Sequence, residues 1–498
     1  MKAKKWFTSI LICSVLSMPF TYASASSNVT GKYSLKFNKA NYTEKTLTVD
    51  GKNITYRAYE KIVYVKNPVD TQYEIMNVYV PEEYYKGKSI GKYNATTAPI
   101  FFPNTVGGYM PGEPGSPGQD KRNSGPNAAL VALSKGYVVA EPGARGRTTQ
   151  DETSQYTGKA PAAIVDLKAA VRYLRYNDKI MPGNAEKIIS NGTSAGGALS
   201  ALLGATGNNK DYEPYLKAIG AANERDDIFA VSAYCPITNL DHADMAYEWM
   251  FNGINDYEGR TTKGTLTKEQ TEISDELKAM FPNYVNSLRL RNSDGSKLTL
   301  DDDGNGTFKD YIKSFLIESA QKALDSGTDL SILTWITIKD GKVTDIDFDK
   351  YIAYAGRMKT PSAFDSLDLT TPETELFGTS TSNAQHFTQF GIKNSTVGGS
   401  LADSHIVKMM NPMYYVGAKG TTNSKYWRIR HGTMDKDTSL AIPTILSANL
   451  KNNGLDVDFA LPWNQPHSGD YDLNELFTWT DKVVAASSKA HSAIKIKR

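Results

Sequence analysis

Three side chains whose combination performs nucleophilic acyl chemistry lie far apart along the 498-residue chain: Ser194, Asp435 and His467. Ser194 occupies Gly192-Thr193-Ser194-Ala195-Gly196, the G-x-S-x-G pattern of a sharp strand-to-helix turn that lifts a serine hydroxyl above a sheet. A hydroxyl is a poor nucleophile until a histidine takes its proton, and that histidine needs a carboxylate to hold its tautomer. The flanks suit the turn. Lys187-Ile188-Ile189-Ser190 reads as a short buried strand, and Ala195 to Leu203 as a helix rich in small residues. Gly192 and Gly196 let the chain turn tightly without a Cβ clash. A Gly/Ser-rich phosphate loop would need a following G-K-[ST], which is missing.

The acid and the base each follow a strand. Lys425 to Arg430 reads as a strand leading into His431-Gly432-Thr433-Met434-Asp435-Lys436-Asp437. Asp456 to Pro462 reads as the last strand, with His467 in the loop beyond it. Asp437, two residues past Asp435, competes for the role of acid. Another strand, Ala98 to Pro103, runs into Asn104-Thr105-Val106-Gly107-Gly108-Tyr109, where glycine lets a backbone N–H face a developing oxyanion. His431 reads as a support of the acid loop. His242, His386 and His405 fall in a separate block and His491 in a basic tail, and no histidine pair has metal-ligand spacing. This chemistry needs no cofactor and no metal.

Positioning these residues requires a sheet. From Thr46 to Val80 the chain alternates as antiparallel strands, then strands and helices alternate. Pro161 opens a helix whose Ile164, Leu167, Val171 and Leu174 share one face. After Glu141, the arginines of EPGARGR read as supports of their loop rather than substrate contacts. The Pro- and Gly-rich stretch Pro111 to Pro126 reads as a surface excursion. Between residues 239 and 424 the rhythm breaks into helices (Lys268 to Met280, Phe308 to Leu324) and a hairpin turning at Asp340-Gly341. The expected fold class is α/β, an α/β-hydrolase core of residues 26–238 and 425–498 with an inserted cap of residues 239–424. Within the cap, Asp301-Asp302-Asp303-Gly304-Asn305-Gly306 opens like a calcium loop, but Ile312 stands where a bidentate glutamate belongs. A plain acidic turn is the preferred reading.

Composition excludes several classes. With 40% hydrophobic and 22% charged residues, a net charge of +2 and no basic stripe, nothing calls for nucleic acid. Lys2, Lys4 and Lys5, the apolar run Trp6 to Phe20 and Ala23-Ser24-Ala25 follow the plan of a secretory signal peptide, residues 1–25. The run is too short, and too broken by Pro19, for a membrane anchor. Export to the periplasm or beyond would leave Cys235 as the mature chain's only cysteine, so no internal disulfide is expected.

The stretches NTVGGYMPG, NGTSAGGALSALLGATG, CPITNLDHADMAYEWM, RHGTMDKDTS and ALPWNQPHSGDYD resemble the bacterial tannases of the lactobacillus type. The resemblance runs from about Thr46 to the final helix. It implies an α/β-hydrolase with a large cap, hydrolysing galloyl esters and depsides, with small-molecule tannins as partners. It places the triad on Ser194, Asp435 and His467, and the oxyanion donors on Ala195 and Gly108. It also implies that a lysine, a glutamate and an aspartate contact the galloyl ring, here Lys359, Glu373 and Asp437, with Glu375 an open alternative to Glu373. Carboxylates accepting from ring hydroxyls and a lysine donating to one suit such a ring. A feruloyl or general aryl esterase would share the triad without needing this trio. A hydrolase-fold protein that only binds polyphenol or carbohydrate would be expected to have lost a triad member.

Overall fold

Short runs of β-branched and aromatic residues form a nine-stranded sheet in this computed structural model, which describes residues 33–120 and 125–496, the last nine by backbone alone. The segment read as a signal peptide lies outside the described residues. In chain order the first strands are β1 (Thr43–Val49), β2 (Lys52–Val63), β3 (Ile75–Pro81), β4 (Pro99–Pro103), β5 (Val138–Pro142), β6 (Asn184–Thr193) and β7 (Ala230–Tyr234). Two small hairpins follow, β8 (Asp256–Glu258) with β9 (Lys263–Thr265) and β10 (Ile336–Lys339) with β11 (Lys342–Ile346). The chain then returns to the large sheet with β12 (Tyr426–Arg430) and β13 (Asp456–Ala460).

The order in the large sheet is β1-β2-β3-β5-β4-β6-β7-β12-β13. The pairs up to β3–β5 are antiparallel and every later pair is parallel. Parallel neighbours need crossovers that cover the sheet. Helices Ala128–Ser134, Ala162–Tyr176, Ala195–Ala205 and Ala441–Asn452 lie in such crossovers, and Leu473–Ile496 follows the last strand. Strand residues such as Phe101, Val139, Ile189, Val231 and Ile429 are fully buried between the layers, as the unbroken apolar runs require.

One row of the sheet governs the site. Thr193, Tyr234, Arg430 and Ala460 lie side by side at the carboxyl ends of β6, β7, β12 and β13. The loops that leave these strands therefore start level with one another.

Residues from Tyr33 onward form one compact unit. Within residues 239–424, Tyr247 and Tyr351 reach the loop at the carboxyl end of β12: the Tyr247 hydroxyl donates to Lys436 O (3.0 Å) and the Tyr351 hydroxyl to Thr433 O. Two elements of this block differ from expectation or illuminate it. The helix expected over Lys268 to Met280 runs Lys268–Ser287, past Pro282, rather than ending before it. Phe281, Pro282 and Val285 are all buried, and that burial offsets the hydrogen bond Pro282 cannot make. The stretch Asp301 to Gly306 is a turn closed on itself: Asp301 Oδ1 accepts from Asp303 N (3.1 Å) and Asn305 N (2.8 Å), and Ile312 is buried.

A buried ion cluster ties the helix Ala162–Tyr176 to the chain entering β7. Asp226, 1% exposed, accepts from Lys168 Nζ (2.8 Å), Arg172 Nε (2.9 Å) and Asn208 N (2.7 Å). Asp226→Ala leaves the buried Lys168 without its counter-charge and Arg172 with only the half-exposed Glu213, and should cost about 3–5 kcal/mol in urea unfolding. Glu272→Ala, which breaks a pair exposed by 85% and 61%, should cost less than about 0.5 kcal/mol in the same assay.

Candidate active site

Ser194 follows β6 in a strained conformation, φ 61° and ψ −124°, and its N–H donates to Tyr234 O (3.0 Å). Only glycine fits on either side. A Cβ on Gly192 would come 2.3 Å from Gly196 O, and one on Gly196 would come 2.6 Å from Asn104 Oδ1. The turn therefore aims the serine hydroxyl upward while its neighbours pack against each other.

The loop after β13 brings His467 over this hydroxyl. His467 Nε2 lies 2.8 Å from Ser194 Oγ and Nδ1 lies 2.8 Å from Asp435 Oδ2. A carboxylate at Nδ1 makes that nitrogen the donor, which leaves Nε2 of the neutral ring as the acceptor for the serine proton. Asp435 is 1% exposed, and its Oδ1 also accepts from Asp437 N (2.9 Å). Burial opposes ionisation of both groups. The ring charges of His431 and His467 nevertheless hold the Asp435 carboxyl below its ordinary value, and the Asp435 carboxylate holds the His467 imidazole above its own.

The two aspartates of the acid loop are separated by geometry. Asp437 reaches no closer than 3.9 Å to His467, at Nε2 rather than Nδ1. Its Oδ1 pairs with Lys359 Nζ at 2.7 Å and its Oδ2 with the exposed Arg260 at 3.1 Å.

Ser194, Ala195, Gly108, Lys359, Glu373 and Asp437 line one cavity of about 700 Å³ between the sheet edge and the cap. The positions expected from sequence thus converge on one space. Glu373 is buried there; burial raises its carboxyl and the Lys359 ammonium pulls it back down. Glu375 does not line the cavity and is ion-paired with Arg147. That separates the two glutamates.

Backbone N–H groups of Ala195 and Gly108 face no protein acceptor among the described residues. Two side chains hold the loop that carries Gly108. Arg147 Nε donates to Gly108 O (2.9 Å), and Asn104 Nδ2 donates to Gly196 O (3.0 Å) while its Oδ1 accepts from Val106 N (3.3 Å). Arg145 is turned inward, onto Asp166 Oδ1 (2.7 Å). Both arginines therefore support their loop.

Residues that sequence reasoning passed over complete the site. The Tyr247 hydroxyl accepts from Met358 N (3.2 Å) and Lys359 N (3.0 Å) while donating to Lys436 O, so it joins the lysine segment to the acid loop. Arg357, in a fully buried pair with Glu248, donates to Lys359 O at 3.3 Å. No spacing rule links Tyr247 to Lys436, 189 positions away. Asn104 carried a signal, as the first residue past a strand's carboxyl end. His431 is buried against Asp435, with Nδ1 3.6 Å from Oδ2 and no hydrogen bond on either ring nitrogen. Proximity rather than a hydrogen bond is its link to the acid.

A mixed sheet whose carboxyl edge carries these groups under a cap defines an ester hydrolase of the α/β-hydrolase class. The family model described as BD-FAE matches residues 116–288. No curated protein matches the chain. Among solved structures, the Fusobacterium nucleatum tannase is 55% identical, with a TM-score of 0.88 over 91% of this chain and 100% of that one. A Lactobacillus plantarum tannase is 47% identical, with a TM-score of 0.88 over 91% and 100%. A tannin acyl hydrolase in complex with ethyl gallate is 49% identical, with a TM-score of 0.88 over 90% and 99%. The chain belongs to the tannase family and is a tannin acyl hydrolase.

The opposed shifts of Asp435 and His467 give a signed stability profile. The depressed carboxyl contributes stability above about pH 4, lost as pH falls through its folded pKa. The raised imidazole contributes stability fully present below about pH 6.5, lost as pH rises through its folded pKa. The difference in unfolding free energy between the wild type and Asp435→Asn should be widest between those values and shrink on the alkaline side. Urea unfolding across that range tests it, and a gap that grows above neutral pH would contradict it.

Proposed function

We propose that the protein is an exported serine esterase that cleaves galloyl ester and depside bonds through a galloyl-enzyme intermediate, with Ser194, Asp435 and His467 as its triad. The observation that carries this reading is the single imidazole hydrogen-bonded at 2.8 Å to both the serine and the aspartate. His467 takes the proton as Ser194 attacks the ester carbonyl, and Asp435 stabilises the cationic ring. The amides of Ala195 and Gly108 receive the negative charge of the tetrahedral intermediate. His467 then protonates the departing alcohol, and water repeats the sequence on the galloyl-enzyme to release gallate. Export is supported by the charged start, apolar run and Ala-Ser-Ala of residues 1–25.

Lys359, Glu373 and Asp437 are assigned to the ring hydroxyls. They share the cavity with Ser194, and the related hydrolase solved with ethyl gallate supports a trihydroxy ring as occupant. Lys359 and Asp437 already pair with each other, so ring hydroxyls enter between groups held in place. A cavity of about 700 Å³ leaves room beyond one ring for the alcohol portion.

Ser194→Ala should lower turnover of methyl gallate by about 10⁶-fold while leaving the unfolding midpoint near that of the wild type. Near wild-type turnover in that variant would eliminate the mechanism. The ring assignment has its own test, a matrix of Lys359→Ala, Glu373→Ala and Asp437→Ala against methyl gallate, methyl protocatechuate and methyl benzoate. Each truncation should cost roughly 1.5–3 kcal/mol, about one to two powers of ten in kcat/KM, on the gallate ester and much less on the benzoate. The effects of removing a residue and removing its ring hydroxyl should combine less than additively. Equal losses on all three esters would leave the residues as supports of the cap and the acyl preference unassigned.

A further inference from the structure

We propose that a thiophilic divalent cation of the zinc and cadmium type binds beneath His467, on Cys235, Asp435 and His467, and shuts the esterase off. The sheet register gathers these groups. Cys235 and His431 are the first residues past β7 and β12, level with Ser194 past β6. Cys235 is 1% exposed, takes φ 37°, and aims its Sγ at the loop of the catalytic histidine, where it donates to Ser468 O (3.4 Å). A ligand atom from each of Cys235, Asp435 and His467 lies within 4.8 Å of the others. His431 is the independent sign of an incomplete site. It is a buried imidazole, 3.6 Å from Asp435 Oδ2, with both nitrogens free of hydrogen bonds.

Sulfur with imidazole nitrogen and one carboxylate is a donor set that favours zinc and cadmium over magnesium or calcium. Metal–ligand bonds of about 2.0–2.3 Å require the three side chains to close by roughly an ångström, within reach of a loop-borne histidine. The cation releases the thiol proton to solvent and takes the Nδ1 lone pair in place of the Asp435 hydrogen bond. The single N–H proton of the neutral ring is thereby moved from Nδ1 to Nε2, where it points at Ser194 Oγ. Such a ring cannot accept the serine proton. Binding is a property of the cluster alone; its inhibitory consequence rests on His467 being the base.

The test uses the full chain carrying Cys13→Ser, so that Cys235 is its only thiol. Cadmium chloride is titrated while the ultraviolet thiolate-to-cadmium charge-transfer band and methyl gallate hydrolysis are followed. One equivalent should develop the band and abolish hydrolysis, a chelator should restore both, and magnesium chloride should do neither. Adding Ser194→Ala should leave the band intact, which separates cation binding from the esterase mechanism. Adding Cys235→Ser keeps the shape and the bond to Ser468, should leave basal activity unchanged, and should require about 100-fold more cadmium for inhibition. Absence of the band in the Ser194→Ala background overturns the site, as does equal cadmium sensitivity of Cys235→Ser. If Cys235→Ser does not fold, the band in the Ser194→Ala background decides alone, since Cys235 is its only possible source.

Discussion

The hydrogen bond from His467 Nδ1 to Asp435 Oδ2 is the constraint on which the rest of the site depends. It fixes the tautomer, and with it which nitrogen faces Ser194. It can form only because the strands that precede the serine, the acid and the base end in one row, Thr193, Tyr234, Arg430 and Ala460. Slipping β12 or β13 by one residue would move a loop by about 3.3 Å and turn its side chains to the other face. The register is held by burial on both sides of the sheet, so the 2.8 Å between His467 and Asp435 rests on the packing of residues such as Ile189, Val231 and Ile429.

The same row explains why the surroundings of the histidine are so polar. Each strand contributes its next residue to one small volume, which brings Cys235 and His431 alongside the acid and base. The cap adds charges from above. Lys359, Glu373 and Asp437 are half-buried or buried around the cavity, where their field is weakly screened. On the proposed ring assignment, a substrate lacking partners for them would leave buried polar groups unpaired, and that penalty would be the source of selectivity.

The cap is joined to the chemistry by buried bonds rather than by covering it loosely. Tyr247 connects Lys359 to the acid loop, and the Arg357–Glu248 pair holds the same segment from its other side. Removing one partner of such a pair leaves an isolated charge in a dry interior, which makes the arrangement hard to change in parts. The segment that carries Lys359 and the acid loop therefore move together or not at all.

What could be read from the sequence was whatever local chemistry dictates. Glycines around Ser194 mark a turn that no other residue fits, apolar runs mark the strands, and residues just past strand ends mark the catalytic edge. Those features pointed to Ser194, Asp435 and His467 as the proposed triad, and to the α/β class and even the Asp340-Gly341 turn, whose positive φ angles the hairpin requires. The choice of Lys359 and Glu373 came from family resemblance, because a lysine and a glutamate on a polar cap carry no local signature. Only the tertiary structure showed that Asp435 and not Asp437 bonds His467 Nδ1, that Glu373 and not Glu375 lines the cavity, and which side chains join Lys359 to the acid loop. Those are questions of direction and of contacts across a hundred residues or more, set by packing against a common core, and spacing along the chain contains neither.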